Sequence, residues 1–140
     1  MSPAGSGQSI AVDASALVAM LVDGGPAGQW VIDQCRNKRL TAPTLLPYEV
    51  GNVLRRQARA GRISIERAAA AHQTVANIQA ELWPFGLLAG RIWQLRDVLS
   101  GYDAAYCAVA ELTGAPLITL DKKLAHAVGP TAEIRTFGAN

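Results

Sequence analysis

Asp13, Glu49, Asp103 and Asp121 are the residues whose type and placement in this sequence point to chemistry. Asp13 ends the apolar run Ile10-Ala11-Val12, and Asp121 ends Leu117-Ile118-Thr119-Leu120. Glu49 follows Ala42-Pro43-Thr44-Leu45-Leu46-Pro47-Tyr48, and Asp103 opens a nearly uncharged stretch that runs to Ala110. Each acid stands where an apolar strand or loop gives way to a predicted helix. Acids gathered inside a fold repel one another and resist losing water. A hard cation offsets that cost, and Mg²⁺ or Mn²⁺ prefers carboxylate oxygens. The pattern therefore points to a metal-dependent reaction at phosphate.

The elements that must position these acids follow from hydrophobic patterning and from turn residues. Residues 8–12 predict a short buried strand, 15–21 a helix stopped by Asp23-Gly24-Gly25, and Pro26 the first turn of a helix to about Arg36. A strand is expected over 40–42, helices over 47–59 and 64–78, and a weak strand over 81–85 that Pro84 confines to a sheet edge. Helices over 88–99 and 102–112 come next, the second apolar all round and so buried. A strand over 117–120, a short helix over 122–127 and a strand over 133–137 complete the chain. Strands alternating with helices predict one α/β domain spanning residues 1–140, with a mostly parallel sheet of four to five strands sandwiched by helices. In such sheets the ligand site lies beyond the carboxyl ends of the strands. That rule puts Asp13, Glu49 and Asp121 at one edge, with Asp103 joining from the start of the buried helix.

Composition sets bounds. The chain has 140 residues, half of them hydrophobic and 17% charged, which suits one domain with one core and excludes a disordered chain. A net charge of +2 is compatible with nucleic acid without indicating it. Residues 1–7 have no basic or long apolar segment of a secretion signal, and their Gly, Ser and Pro content predicts a frayed end. The apolar run from Ala14 to Val22 is far short of the ~20 residues a membrane span needs, so no membrane association and a cytoplasmic location are expected. Cys35 and Cys107 have neither metal-ligand nor redox spacing.

Each acid also has a purely structural use. Asp13 and Asp121 suit helix N-caps, Ser100-Gly101-Tyr102-Asp103 suits a capping box, and Glu49 suits the positive end of a helix dipole. Capping accounts for each acid singly. It does not account for the apolar surroundings of all four, and it gives no reason for them to converge.

Four segments in order, Ile10-Ala11-Val12-Asp13-Ala14-Ser15-Ala16-Leu17, Pro47-Tyr48-Glu49-Val50-Gly51-Asn52-Val53-Leu54, Tyr102-Asp103-Ala104-Ala105-Tyr106 and Leu117-Ile118-Thr119-Leu120-Asp121-Lys122-Lys123-Leu124, resemble the PIN-domain family. More narrowly, they resemble the VapC-type ribonuclease toxins of toxin–antitoxin pairs. The resemblance runs from Ile10 to about Phe137. It implies a PIN-like fold, a Mg²⁺- or Mn²⁺-dependent endoribonuclease acting on RNA, restraint by a cognate antitoxin, and a homodimer. The family's metal ligands carry over onto Asp13 and Asp103 first, with Glu49 and Asp121 completing the acidic pocket. The rival within the same fold is an inactive PIN-like module that serves only protein association. Other strand-end acid sites do not match: a haloacid-dehalogenase-type phosphatase needs a second Asp where Ser15 stands, and a phospho-receiver domain needs an acidic pair after its first strand.

Around the acids, Ser15 and Thr119 each lie two residues from a carboxylate and can orient it or a metal-bound water. Asn52 falls one turn after Glu49 and can share its helix face. Arg55, Arg56 and Lys122 are candidate RNA-phosphate contacts, while Arg59 and Arg62 suit a solvated helix end. Apolar surface around Ala14–Val22, Ala27–Val31 and Val50–Leu54 is the expected antitoxin groove. The helices over 88–99 and 102–112, with Ile92, Trp93 and Leu95, are the expected dimer surface.

Overall fold

The computed structural model describes residues 8–138, so the expected fraying of residues 1–7 lies outside the described residues. The elements in chain order are β1 (Ser9–Val12), α1 (Ala14–Val22), α2 (Pro26–Cys35), β2 (Arg39–Pro43), α3 (Leu46–Arg59) and α4 (Ile65–Ala76). They continue with β3 (Ala80–Trp83), α5 (Phe85–Gln94), α6 (Gly101–Thr113), β4 (Leu117–Thr119), α7 (Lys122–Ala125) and β5 (Ile134–Thr136). The five strands form one sheet in the order β3-β2-β1-β4-β5, and every pairing is parallel. β3 takes the edge position that Pro84 predicts.

The order reverses direction at β1. The chain moves outward from β1 to β2 and β3, then returns to place β4 on the other side of β1. The junction between β1 and β4 is thus the topological switch point, where open parallel sheets make a crevice beyond their strand ends. The ladder there continues past the end of β1, because the Asp13 amide donates to the Ile118 carbonyl at 3.2 Å. Asp13 is therefore fixed by the sheet itself.

The sheet is covered by two groups of helices. α6 packs on β1, β2 and β4 with α5 against its outer side, while α1 packs with α2, α3 and α4. Residues Ala104 to Ala110 of α6 are all buried. Their mostly small side chains let the helix lie close to the sheet, with Tyr106 the one bulky residue among them. Ile10, Leu17, Leu46, Leu117 and Ile118 are fully buried between these layers, each worth about 1.5–3 kcal/mol of transfer free energy. α6 stops at Gly114, whose φ of 71° is the left-handed conformation that ends helices at low cost in glycine. Gly28 lets α2 approach the end of α1, since a Cβ there would stand 2.0 Å from the Asp23 carbonyl oxygen.

One element departs from the expected helix over 88–99. α5 begins three residues earlier, after Pro84 as its N-cap, and ends at Gln94 with Leu95 as its C-cap. The apolar spacing continues beyond Gln94 because the following turn also faces the core: Leu95 is 2% exposed and Leu99 is half-buried. Periodicity thus read a packed turn as more helix. The expected dimer surface changes with it. Leu95 is a core residue, Ile92 is half-buried, and only Trp93, 67% exposed and stacked beneath the Arg96 guanidinium, is outward among the three. α6 is too deeply buried to offer a face of its own, apart from Tyr102 and Leu112 near its ends.

A bidentate ion pair holds α5 on α6. Arg91 Nε and Nη2 donate to the Glu111 carboxylate at 2.7 and 3.2 Å. Arg91 Nη2 also donates to the Gly129 carbonyl, and the Thr131 amide donates to Glu111, so the loop before β5 is tied to the same pair. No helix among the described residues is long and apolar enough to cross a membrane.

Candidate active site

Asp13, Glu49, Asp103 and Asp121 line a single cavity of about 190 Å³, together with Ser15, Asn52, Val53, Arg56 and Tyr106. β1 delivers Asp13, β4 delivers Asp121, and the first turns of α3 and α6 deliver Glu49 and Asp103.

Asp13 is both a cap and a cavity wall. Its side chain accepts from the Ala16 amide at 2.9 Å, capping α1, and is only 6% exposed. Ser15 Oγ donates to the same oxygen, Oδ1, at 2.6 Å, and Thr119 Oγ1 donates to Oδ2. Each hydroxyl is anchored in turn by β4's trailing backbone: Ser15 Oγ accepts from the Leu120 amide and Thr119 Oγ1 from the Asp121 amide, both at 3.0 Å. Two hydroxyls thus tie one carboxylate to the strand on the far side of the switch point. Oδ1 has two donors and is saturated, whereas Oδ2 has one and keeps a free lone-pair site. Burial raises the Asp13 carboxyl above its ordinary range. The three hydrogen bonds oppose that rise, and the Asp103 charge adds to it.

Asp103 sits in the first turn of α6, where Ser100 Oγ accepts from its amide at 3.1 Å. Its carboxyl is also raised, first by desolvation and then by the Asp121 charge, with Lys123 acting the other way. Asp121 caps α7, accepting from the Lys123 amide at 2.9 Å. Capping and cavity lining therefore coincide at Asp13 and Asp121. Glu49 Oε1 accepts from the Tyr106 hydroxyl at 2.6 Å, which leaves Oε2 open to the cavity. Tyr106 is 2% exposed, and its phenol is held well above its ordinary value, first by burial and then by the bond to Glu49.

Of the remaining expected residues, Ser15 and Asn52 line the cavity, Thr119 is buried behind Asp13, and Arg56 stands on the rim. Arg55 is exposed and lies outside the cavity, because one residue along α3 turns it about 100° away from Arg56. Lys122 is exposed and outside it as well; Lys123, one position on, is the lysine whose charge reaches Asp103. The sequence reading also left Tyr106 without a role. Its signal was present: it lies three residues after Asp103 on a helix, and hence on the same face.

The donor set suits a hard divalent ion. Asp13 Oδ2, Glu49 Oε2 and the Asp103 and Asp121 carboxylates are the oxygen donors that would hold it, and beyond the desolvation of both, the Asp103 charge acts on Asp13 and the Asp121 charge on Asp103 with no cation between them. Among the described residues, however, no three acids, histidines or cysteines stand close enough together to hold a metal ion directly, so the four carboxylates line one cavity without meeting at one point. An ion held there would take few of these carboxylates directly and reach the others through its waters, a mode open to Mg²⁺.

An apolar groove adjoins this cavity and shares Ser15 and Val53 with it. Its further lining is Val18, Ala19 and Val22 of α1, Asp23 just after it, Gln57 of α3, Arg62, Ile63 and Leu120. The α1 part of the expected groove is here, and Val53 represents the α3 part. The Ala27–Val31 part is not, because Gly28 and Val31 are buried where α2 packs on α1.

Comparison with known proteins gives consistent results. A PIN domain family model matches residues 10–129. VapC ribonuclease Mb0985 of Mycobacterium bovis is 37% identical over 115 residues, 82% of this chain and 87% of that protein. Ribonuclease VapC1 of Mycobacterium tuberculosis is 36% identical over 125 residues, 89% of this chain and 94% of that protein. Among solved structures, PAE2754 from Pyrobaculum aerophilum superposes with a TM-score of 0.66 at 28% identity, covering 93% of this chain and 85% of that one. Mycobacterium tuberculosis VapC20, described as a sarcin-ricin loop cleaving toxin, has a TM-score of 0.62 at 18% identity over 83% of this chain and 92% of its own, a likeness of fold alone.

Proposed function

Because the chain belongs to the PIN domain family, among its VapC-type members, we propose that it is the endoribonuclease toxin of a toxin–antitoxin pair, hydrolysing RNA phosphodiester bonds at the acidic cavity with Mg²⁺ as cofactor and Mn²⁺ able to replace it. The observation that carries this reading is the lining of one cavity by Asp13, Glu49, Asp103 and Asp121 at the switch point of the sheet.

A divalent ion in such a site supplies a more acidic water and a Lewis acid for the phosphate oxygens. The chain's own residues do the positioning. Ser15 and Thr119 hold the Asp13 carboxylate in one orientation, so its free lone pair on Oδ2 has a fixed direction. The Tyr106 hydroxyl occupies Glu49 Oε1 and leaves Oε2 as the oxygen that would hold the ion or one of its waters. Asp103 and Asp121 complete the negative field, and Arg56 on the rim is placed to draw a backbone phosphate toward it.

Restraint by an antitoxin fits the groove beside the cavity. An apolar partner segment lying on Val18, Ala19, Val22 and Ile63 would pass Ser15 and Val53 and present a basic side chain to the four acids. It would block RNA and offset the cavity's charge together. We further propose a homodimer formed through the exposed apolar face of α5, and a cytoplasmic location.

The alternative, an inactive interaction module, has no need for the two hydroxyls that hold Asp13. Incubating the purified chain with a pool of unstructured RNA, with Mg²⁺ and with a chelator, tests the choice. Cleavage that needs the ion and is lost in Asp13→Asn is the expected result. No cleavage of any RNA with either Mg²⁺ or Mn²⁺ would overturn the nuclease reading in favour of the module.

A further inference from the structure

A second hollow lies on the other side of Asn52 from the acids. It has a volume of about 440 Å³ and is lined by Pro47, Tyr48, Gly51 and Asn52 of α3 and by His72, Val75 and Ala76 of α4. Asn52 lines both this hollow and the acidic cavity, so a ligand can reach from one into the other.

Tyr48 is 79% exposed, the most open aromatic ring in the described chain. On α3 it stands four residues before Asn52 and eight before Arg56, so the three form a ridge with about 6 Å of rise between successive members. Along that ridge run an aromatic face, an amide and a guanidinium, the groups that stack on a base, read its edge and bind a phosphate. Gly51 lies in the interior of α3, where glycine costs a helix about 1 kcal/mol relative to alanine. Packing does not demand it: a Cβ at residue 51 would meet nothing nearer than the His72 ring at 3.8 Å. The missing side chain opens the hollow in front of a second aromatic ring.

We propose that this hollow is the binding subsite for one unpaired nucleobase of the RNA substrate, next to the phosphate held at the acids, with Tyr48 stacking on the base and Asn52 and His72 meeting its polar edge. The inference rests on the ribonuclease reading and deepens it, by naming the residues that choose where the strand is cut. A protein partner is the less suitable occupant. Tyr48 is the one large exposed apolar residue of this hollow, whereas α5 exposes three, Phe85, Leu87 and Trp93.

The test uses the full chain carrying Asp13→Asn, so that RNA is bound without being cut. Fluorescein-labelled single strands of A, C, G or U, and an abasic ribose-phosphate strand of equal length, are titrated by anisotropy. At least one base should bind about ten-fold more tightly than the abasic strand. Tyr48→Ala should erase that difference, and Tyr48→Phe should keep it. With the wild-type acid restored, sequencing of product ends from a random RNA pool should show a base preference that Tyr48→Ala flattens and Tyr48→Phe retains. Unchanged base discrimination in Tyr48→Ala, both in binding and at product ends, would overturn the subsite. So would light scattering in which Tyr48→Ala converts a dimer to a monomer with base discrimination intact, which makes the hollow an interface between copies. If the wild-type chain cuts no RNA, the nuclease reading fails, and the binding comparison still decides whether a base occupies the hollow.

Discussion

The hydroxyl of Tyr106 donates to Oε1 of Glu49 at 2.6 Å and so links the buried helix α6 to the first turn of α3. Everything else about Tyr106 is core. Only its oxygen reaches the cavity, and it fixes which Glu49 oxygen faces the acids.

Tyr106→Phe keeps the ring and removes that oxygen. Glu49 is half-exposed and recovers water in exchange, so stability should change by no more than about 1 kcal/mol. Turnover should fall by about ten-fold while KM stays within about two-fold, since a misoriented carboxylate affects the reaction more than the binding of RNA. Single-turnover kinetics on one defined RNA would show this, and an unaltered kcat would remove Tyr106 from the machinery.

Acid should favour the metal-free fold at this site. The Asp13 and Asp103 carboxyls are raised in the folded state above their ordinary 3.8, in both cases chiefly by desolvation. The folded chain therefore holds these protons more tightly than the unfolded chain. Their stabilising contribution is complete below pH 3.8 and is lost as pH rises through the raised folded values. Asp33, Glu111 and Glu133 are lowered and act in the opposite sense, so the comparison must be with Asp103→Asn. In chelator, urea unfolding should find the Asn variant more stable than wild type at neutral pH, with the gap closing toward pH 4. A gap that widens on acidification would contradict the assignment. Adding Mg²⁺ at neutral pH should raise the wild-type melting temperature and leave the Asp103→Asn variant nearly unmoved.

Val22 lines the groove beside the cavity without lining the cavity itself. Val22→Lys should leave RNA cleavage within about two-fold of wild type and weaken antitoxin binding by at least about 2 kcal/mol, the scale of a disrupted interface anchor. Titration calorimetry, with cleavage measured in the presence of antitoxin, gives both numbers. Full suppression of the variant at wild-type antitoxin concentrations would place the partner elsewhere.

Phe85, Leu87 and Trp93 are exposed on a single helix that Arg91 and Glu111 clamp to α6. Trp93→Glu should convert a dimer into a monomer in light scattering, with the circular dichroism spectrum unchanged. A monomer in the wild-type chain at every accessible concentration would remove the dimer.

How much of this the sequence discloses depends on distance along the chain. Strand ends, proline and glycine punctuation, and the all-apolar character of α6 are local signals, and they place the acids at helix starts on one edge of a parallel sheet. The α5 boundary was misread because Leu95 and Leu99 continue an apolar spacing through a turn that packs in the core. Arg55 and Arg56 are adjacent basic residues in the sequence, and only the helix face, which one residue changes, separates Arg56 at the cavity from Arg55 outside it. The bonds that organise the cavity are the least legible. Thr119 to Asp13 spans 106 residues and Tyr106 to Glu49 spans 57, and no window along the chain contains both ends.

That separation also governs when the site exists during synthesis. β1 gains its β4 neighbour, and Asp13 its Thr119 hydroxyl, only once residues 117–119 have left the ribosome. A nascent chain can fold its early helices with three of the acids already present and still have no assembled cavity. The strand that closes the crevice is made after the segments that carry Asp13, Glu49 and Asp103. A chain interrupted before Thr119 lacks the hydroxyl that holds Asp13 and the carboxylate of Asp121, and so cannot assemble the cavity.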